Sequence, residues 1–378
     1  MSGNIFIMAL EPLDTRYTGQ WFDGLPRLIR EEAARRNVDV EVHNIAGQQT
    51  STEVSTGAFL DFFATNIWKN TQINDLVGRF QRGEVQPGDK VLFTDAWHTG
   101  VTQVRYMSEL MEIPVEIHSM WHAGSYDPQD FLGRLIKDKS WTYNTERGLF
   151  FASHVNYFAT RFHISLFLKN LFPDEEQLWS GIGDASGQYS SPVVHPHGER
   201  IKRSGQPHSA LVDALRGYEG MKKRDLVLFP HRVAPEKQVE IFRDLAQHCP
   251  GIEFVVCQDT KLTKDQYHTL LGEAKVVFSA NLQETLGISA MEGVLCGAIP
   301  LLPNRLSYSE MYQSCFLYDS AWTESWEAYV AHRPQMIKVL THAVKNHHLF
   351  DARLEEQRKV LLDYYLSCQP MLDGLLNV

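Results

Sequence analysis

Two glutamates, Glu284 and Glu292, stand with seven residues between them in the run Glu284-Thr285-Leu286-Gly287-Ile288-Ser289-Ala290-Met291-Glu292. The first falls in a loop after a strand-like stretch and the second on the helix that follows. Gly287 marks the helix start, where open backbone N–H groups and the helix dipole favour a phosphate. A carboxylate in such a loop can accept hydrogen bonds from sugar hydroxyls, and one further along the helix can take both hydroxyls of a ribose. A helix-start acid followed by a solvated acid would be the plainer account. It is weakened because Glu292 sits among Ile288, Ala290, Met291, Val294 and Leu295, where an unpaired carboxylate is costly. Earlier in the chain, Leu226–Phe229 runs into Pro230-His231-Arg232-Val233-Ala234-Pro235-Glu236-Lys237. Two cations past a strand end can neutralise a diphosphate whose charge grows as a glycosidic bond breaks. Arg and Lys in such a place are, taken alone, more often a solvated loop. Gly297 ends the helix begun at Gly287, and Pro303-Asn304-Arg305-Leu306-Ser307-Tyr308 forms a polar loop after the next strand.

The elements that must position these groups follow a βαβ rhythm, which predicts parallel sheets covered on both faces. In the first half, Asn4–Leu10, Val38–Asn44, Asp89–Thr94 and Pro114–His118 read as strands, and about Gln20–Arg36 as a helix. The rhythm breaks between Gly181 and Pro207, a stretch rich in Gly, Ser, Pro and His that reads as an interdomain linker. It restarts with strands at Asp225–Phe229, Glu253–Cys257, Lys275–Ser279 and Ala298–Leu302. The helices of that half centre on Lys237–Gln247, Lys264–Gly272, Gly287–Leu295 and Tyr308–Cys315. The expected division is an N-terminal Rossmann-like domain over 1–205, a second over 206–345, and a C-terminal helical segment over 346–378 that crosses back to the first. One large doubly wound sheet is the competing architecture. With 378 residues, each of two domains can bury its own core.

Composition limits the function. A hydrophobic share of 43% and a charged share of 22% are those of a globular protein, and no apolar run approaches the ~20 residues that span a bilayer. The N-terminus reads as a buried strand and not as a secretory signal. Cys249, Cys257, Cys296, Cys315 and Cys368 are scattered, with no zinc-like spacing, which suggests reduced thiols in a cytoplasm-like compartment, a host's cytoplasm if the source is a phage. The net charge of −10 argues against a surface devoted to nucleic acid without excluding a local basic groove.

Glu-x7-Glu followed by a helix-ending Gly and a Pro, with Arg232-x4-Lys237 a few strands earlier, resembles the retaining GT-B glycosyltransferases of family 4. The run from Val277 through Pro300-Leu301-Leu302-Pro303-Asn304-Arg305-Leu306 to Glu310 is similar to one subgroup, the glycosyltransferase-1-domain-containing proteins that act as tRNA-queuosine mannosyltransferases. So are Phe93-Thr94-Asp95, Ile113 through His122, and Tyr126-Asp127-Pro128. The resemblance implies a GT-B fold, two Rossmann-like domains facing each other across a cleft. It implies that Arg232 and Lys237 hold a donor diphosphate, with backbone amides near Leu286 and Gly287 completing the cradle. Glu292 would bind the ribose and Glu284 the transferred sugar. His122 would stand near donor sugar and acceptor hydroxyl. Two departures fall where sugar and acceptor are selected: the subgroup's His-Glu-Asn-Gln is His122-Ala123-Gly124-Ser125 here, and its His-Glu is Gln283-Glu284.

The expected reaction is therefore transfer of a sugar from a UDP- or GDP-linked donor, with no permanently bound cofactor and no metal. No Asp-x-Asp is tied to a strand end. Glu284, His122 and Asp95 are the catalytic candidates, and Gly19 in the first turn after strand one is a further donor-binding candidate. Asp95 and His98 could contact or deprotonate an acceptor. For that acceptor the subgroup points to a modified nucleobase, in tRNA or in hydroxymethylated phage-type DNA, whereas the charge points to a small or neutral molecule. Arg134, Lys137, Lys139 and Arg147 with Trp141 and Tyr143 could form a backbone-and-stacking surface, extended by Lys202, Arg203, Lys222, Lys223 and Arg224. No membrane partner is expected. The rival readings are a transferase acting on a glycan or small molecule, a sugar-nucleotide epimerase, and a non-catalytic nucleotide-sugar-binding protein.

Overall fold

Alternate residues of the first strand point to opposite faces, and both sets are buried: Phe6 and Met8 enter one core, Ile5 and Ile7 another. A strand apolar on both sides belongs inside a parallel sheet. The computed structural model, which describes residues 3–13, 17–50, 61–174 and 196–377, has that arrangement twice. The chain divides into one unit of Met1–Ala210 with Leu366–Val378 and a second of Leu211–Tyr365.

The first unit holds a six-stranded parallel sheet in the order β2-β1-β3-β4-β5-β6. The strands are β1 (Gly3–Met8), β2 (Val40–Ile45), β3 (Lys90–Phe93), β4 (Glu116–Trp121), β5 (Val155–Phe158) and β6 (Ile201–Arg203). Between them run α1 (Tyr17–Arg36), α2 (Phe62–Gln81), α3 (Gly100–Leu110), α4 (Phe131–Leu135), α5 (Lys139–Ala152) and α6 (Arg161–Leu171). One face of the sheet packs on Ile73, Leu76, Leu149, Phe150 and Phe167. The other packs on Trp21, Leu25 and Ile29 of α1.

The second unit carries a five-stranded parallel sheet in the order β11-β10-β9-β7-β8. It runs from α7 (Ser209–Leu215), which spans the boundary, through β7 (Arg224–Phe229), α8 (Val239–His248), β8 (Glu253–Val256), α9 (Lys264–Glu273) and β9 (Ala274–Phe278). It continues with α10 (Ile288–Leu295), β10 (Ile299–Pro303), α11 (Tyr308–Met311), β11 (Leu317–Tyr318), α12 (Trp326–Lys345) and α13 (Asp351–Tyr364). Val227, Phe229, Val276 and Phe278 meet Tyr329, Met336 and Leu340 of α12 in its core.

The C-terminal segment expected over 346–378 is split between the units. Its first helix, α13, lies in the second unit, and α14 (Gln369–Leu376) packs Met371, Leu372 and Leu375 onto the first sheet. Lys90 Nζ donates to the carbonyl of Leu375 at 2.8 Å, and Arg36 pairs with Asp373 at 2.7 Å. Residues 181–195 of the expected linker lie outside the described residues. Part of the remainder is ordered as β6, which pairs in parallel with β5. Among the described residues, no helix is long and apolar enough to cross a membrane.

Candidate functional site

Parallel strands place ligands beyond their carboxyl ends, and the second unit gathers charged side chains there. From the end of β7 the chain passes through a short turn at Pro235–Lys237, and Gln238 in the left-handed region (φ 52°) redirects it into α8. Lys237 is buried. Its ammonium donates to the carbonyl of Gln283 at 2.6 Å and to Glu284 Oε2 at 3.2 Å, so the turn after β7 is bonded to the loop after β9. Arg232 pairs with Glu236, whose backbone carbonyl accepts from Leu282 N at 2.8 Å. His231 bridges the same two loops: Nε2–H donates to the Phe278 carbonyl at 3.2 Å, and Nδ1 faces Ser289 Oγ of α10 at 3.0 Å. Burial, then the Lys237 charge, pushes His231 down to about 3, so the ring is neutral and acts as a strut.

The loop carrying Glu284 is held from beneath by an arginine. Arg305 donates to the carbonyls of Ala280, Asn281, Ser320 and Thr323, filling its guanidinium with backbone acceptors. The polar loop after β10 thus braces the site through this side chain. Glu284 Oε1 accepts from the backbone N–H of Thr285 at 3.2 Å, and Asn281 Nδ2 reaches Oε2 at 3.4 Å and Tyr308 Oη at 3.0 Å. Burial alone would raise this carboxyl. The Lys237 ammonium, by charge and by hydrogen bond, and the Leu286 N–H outweigh it and hold Glu284 below the usual carboxylate range.

Gly287 precedes α10 at φ 85° and ψ 54°, and a Cβ there would sit 2.8 Å from Tyr308 Cε1. Both the backbone and the packing require glycine. The first N–H groups of α10 have no acceptor within the helix, and they open beside Glu284 and Lys237. Glu292, in the second turn of α10, accepts from Tyr267 Oη of α9 at 2.5 Å. It keeps some accessible surface while being densely surrounded by protein. Burial, opposed by the Tyr267 phenol, pushes its carboxyl up to about 7.

In the first unit the corresponding candidates are bonded to other groups of that unit. Lys69 Nζ meets Asp95 Oδ2 at 2.6 Å. Burial would raise Asp95, but Lys69 and then His122 hold it below the usual range. His98 is buried, its Nδ1 accepting from Gly100 N at 3.0 Å and its Nε2 facing Gln72 Oε1 at 3.3 Å. Burial, then Lys69, pushes it down to about 3. His122 closes a chain in one direction. Trp21 Nε1–H donates to His208 Nδ1 (3.5 Å), His208 Nε2–H to Gln206 Oε1 (3.0 Å), Gln206 Nε2–H to His122 Nδ1 (3.2 Å), and His122 Nε2–H to the Thr94 carbonyl (2.7 Å). Gly19 stands in the first turn of α1, where Thr18 Oγ1 accepts from Leu13 N at 3.2 Å.

The basic cluster is largely structural in what it touches. Lys139 donates to the carbonyls of Gly133 (2.6 Å) and Ser125 (3.3 Å), and Arg147 bonds the Leu171 carbonyl and lies over Phe172. Lys137 is exposed and reaches the carbonyl of Arg134 at 2.9 Å, Arg134 itself being half-buried on α4. Lys202 and Arg203 lie on β6 of the first unit, and Lys222–Arg224 at the start of β7 in the second. There Lys223 bonds the Cys296 carbonyl, and Arg224 pairs with Glu253 and Glu273.

The structure therefore joins Lys237 to Glu284 directly, and sets Arg232 and Gly287 on the same pair of loops. Sequence reading missed His231, Glu236, Asn281, Tyr308 and Tyr267. His231 had a signal, being next to Arg232 in the same turn; the others depend on contacts between distant elements. Glu146 was also missed. It is buried, accepts from Ser125 N, Ser125 Oγ and Trp97 Nε1, and is pushed up to about 7 by burial against those bonds. Among the described residues, no group of three or more His, Cys, Asp or Glu side chains is arranged to hold a metal ion. The described cysteines are unpaired with one another, Cys315 alone being exposed.

No family model matches the chain. Several solved structures are similar over its whole length. Sucrose-phosphate synthase from Thermosynechococcus elongatus aligns with a TM-score of 0.60 at 10% identity, over 100% of this chain and 98% of the other. The lipopolysaccharide outer core galactosyltransferase WaaB gives 0.58 at 11%, over 100% and 99%. Anabaena HepE in complex with UDP-glucose gives 0.54 at 10%, over 100% of both chains. At such identities the likeness speaks for architecture: the chain has the GT-B fold, two Rossmann-like parallel-sheet units.

Proposed function

We propose that this protein is a retaining glycosyltransferase that moves a sugar from a nucleoside-diphosphate sugar to an acceptor hydroxyl, with the donor held by the second unit. The observation that carries this reading is the Lys237–Glu284 pair beside the glycine-started helix α10. A cation, open helix N–H groups and an ionised carboxylate at one parallel-sheet end match a diphosphate joined to a sugar. Arg232 and Lys237 take the diphosphate together with the N–H groups near Leu286 and Gly287. Glu284, kept ionised, accepts from hydroxyls of the transferred sugar, and Glu292 accepts from the ribose.

In the reaction, the bond from the anomeric carbon to the diphosphate oxygen breaks while the acceptor oxygen bonds to that carbon on the same face. The acceptor proton passes to the leaving phosphate, whose growing charge Arg232 and Lys237 neutralise. The step calls for neither a protein nucleophile nor a metal. UDP and GDP donors are both compatible with the residues named.

For the acceptor, the subgroup resemblance favours a modified nucleobase, in tRNA or in hydroxymethylated DNA. That choice stands on the resemblance. Lys139 and Arg147 are committed to backbone carbonyls, and Arg134 and Lys137 alone make no continuous basic track. The test is release of nucleotide from UDP- and GDP-sugars in the presence of hydroxymethylated DNA, bulk tRNA, small glycans or no acceptor. Release that needs one acceptor and disappears in Glu284→Ala supports the proposal and names the acceptor. Interconversion of the donor sugar without acceptor would instead favour an epimerase.

A further inference from the structure

Tyr267 stands early in α9, whose start is fixed by a reciprocal pair of bonds. Gln266 N donates to Thr263 Oγ1 at 3.2 Å, and Thr263 N donates to Gln266 Oε1 at 2.9 Å. Tyr267 N also donates to the Thr263 carbonyl at 3.0 Å. The direction from which the phenol approaches is therefore set by the helix cap. Its target is set as firmly: Gly293, the next residue after Glu292, lets α10 lie close on β9, since a Cβ there would sit 2.6 Å from Val277 Cγ2. Neither helix can turn without losing these seats. Between them Tyr267 Oη meets Glu292 Oε2 at 2.5 Å, and among the described residues Oε1 of the same carboxylate has no protein donor.

We infer that Tyr267 is a positioning residue of the donor site: by occupying Oε2 of Glu292 it fixes the carboxylate and presents Oε1 to the hydroxyls of the nucleotide's ribose. The inference rests on the donor reading above. A lone glutamate side chain turns among several rotamers, and binding must then order it. A phenol bond made before the ligand arrives removes that requirement. The phenol also favours the ionised form of Glu292, the form that accepts from two hydroxyls. The other titratable groups facing this carboxylate are the thiols of Cys257, after β8, and Cys296, at the end of α10. Burial pushes both up to about 12, so they stay protonated and leave Tyr267 as the group that counters burial.

The experiment is calorimetric titration of UDP and GDP, and of their dideoxyribose counterparts, against the whole chain. The variants are wild type, Tyr267→Phe, Glu292→Ala and the double variant. For the ribonucleotide that binds, Tyr267→Phe is expected to weaken affinity about tenfold. It should leave the dideoxy form unaffected and add nothing in the Glu292→Ala background. Affinity rises with pH as Glu292 ionises, and in Tyr267→Phe that rise moves to higher pH. In turnover, KM rises by more than kcat falls. Glu292→Gln, which retains a partner for the phenol, serves as a second variant and is expected to bind independently of pH. Equal loss for both sugars, a loss that persists in Glu292→Ala, or an unmoved pH profile would each overturn the role of Tyr267 while leaving the donor site intact. If Glu292→Ala binds ribonucleotide as well as wild type, the donor reading fails at this residue and the inference falls with it.

Discussion

At the carboxyl ends of both sheets a lysine meets a carboxylate, Lys69 with Asp95 in the first unit and Lys237 with Glu284 in the second. The surroundings differ. Beside Asp95, the chain from Trp21 through His208, Gln206 and His122 ends on the Thr94 carbonyl and commits both nitrogens of His122. His98 is likewise committed at both nitrogens. Beside Glu284 the bonds stop short of closure: the first turn of α10 keeps N–H groups with no acceptor in the helix, and Glu292 offers an oxygen that no described residue bonds. Similar residue types are closed by their neighbours in the first unit, whereas in the second a helix start and one oxygen of Glu292 lie next to them without a described partner. Polar satisfaction, more than residue type, separates them.

The largest effect that would break this comparison is on transfer itself. Lys237→Ala is expected to lower the rate on the order of 10²–10³-fold, since it removes charge from the leaving diphosphate and a partner from Glu284. Turnover measured under saturating donor checks it; a rate within a few-fold of wild type would place the chemistry elsewhere. Two glycines sharpen the contrast at the level of stability. Gly287→Ala forces a left-handed backbone and a clash with Tyr308, and Gly374→Ala sets a Cβ 2.2 Å from Tyr157 Oη in the first unit. Each should cost about 2–3 kcal/mol in thermal or denaturant unfolding, and only Gly287→Ala should also weaken nucleotide binding.

A smaller effect is expected at Gln206→Leu, which leaves His122 and His208 without their shared partner. It should destabilise by roughly 1–3 kcal/mol while nucleotide affinity stays put. Loss of affinity in that variant would move the donor site's determinants into the first unit. The smallest effect is a pH slope. Glu146 and Glu292 both have folded-state values near 7, above their ordinary 4.5. Between those values the native state binds more protons than the unfolded chain, so stability falls as pH rises from about 4.5 to about 7 and levels off beyond. Glu146→Gln and Glu292→Gln should each flatten that slope in unfolding titrations. A nucleotide should alter only the part due to Glu292.

The second sheet, and the gathering of Arg232, Lys237, Glu284 and Gly287 at its strand ends, were largely legible because the motif is local. Arg232 with Lys237, and Glu284 through Glu292, are short spans whose ends fall at strand and helix boundaries that hydrophobic pattern and glycine already mark. What the pattern could not supply were bonds across the chain. Tyr267 meets Glu292 from another helix, and Arg305 spends its charge on four carbonyls. In the first unit, His98 and Lys139 look available in sequence, and their availability is lost to Gln72 and to the carbonyls of Ser125 and Gly133. Short strands were missed for a related reason. Val155–Phe158 and Ile201–Arg203 are too brief to show alternation, and β6 falls in a Gly- and Pro-rich stretch that reads as loop.

On the proposed reading, Lys237 and Glu292 of the second unit hold the donor nucleotide. This is tested most directly by titrating UDP and GDP against wild type, Lys237→Ala and Glu292→Ala on one side, and Asp95→Asn and Lys139→Ala on the other. Affinity is expected to fall at least about tenfold in both second-unit variants and to stay within about twofold in both first-unit variants. Unchanged binding in Lys237→Ala and Glu292→Ala, or its loss in Asp95→Asn or Lys139→Ala proteins that remain folded, would contradict that reading.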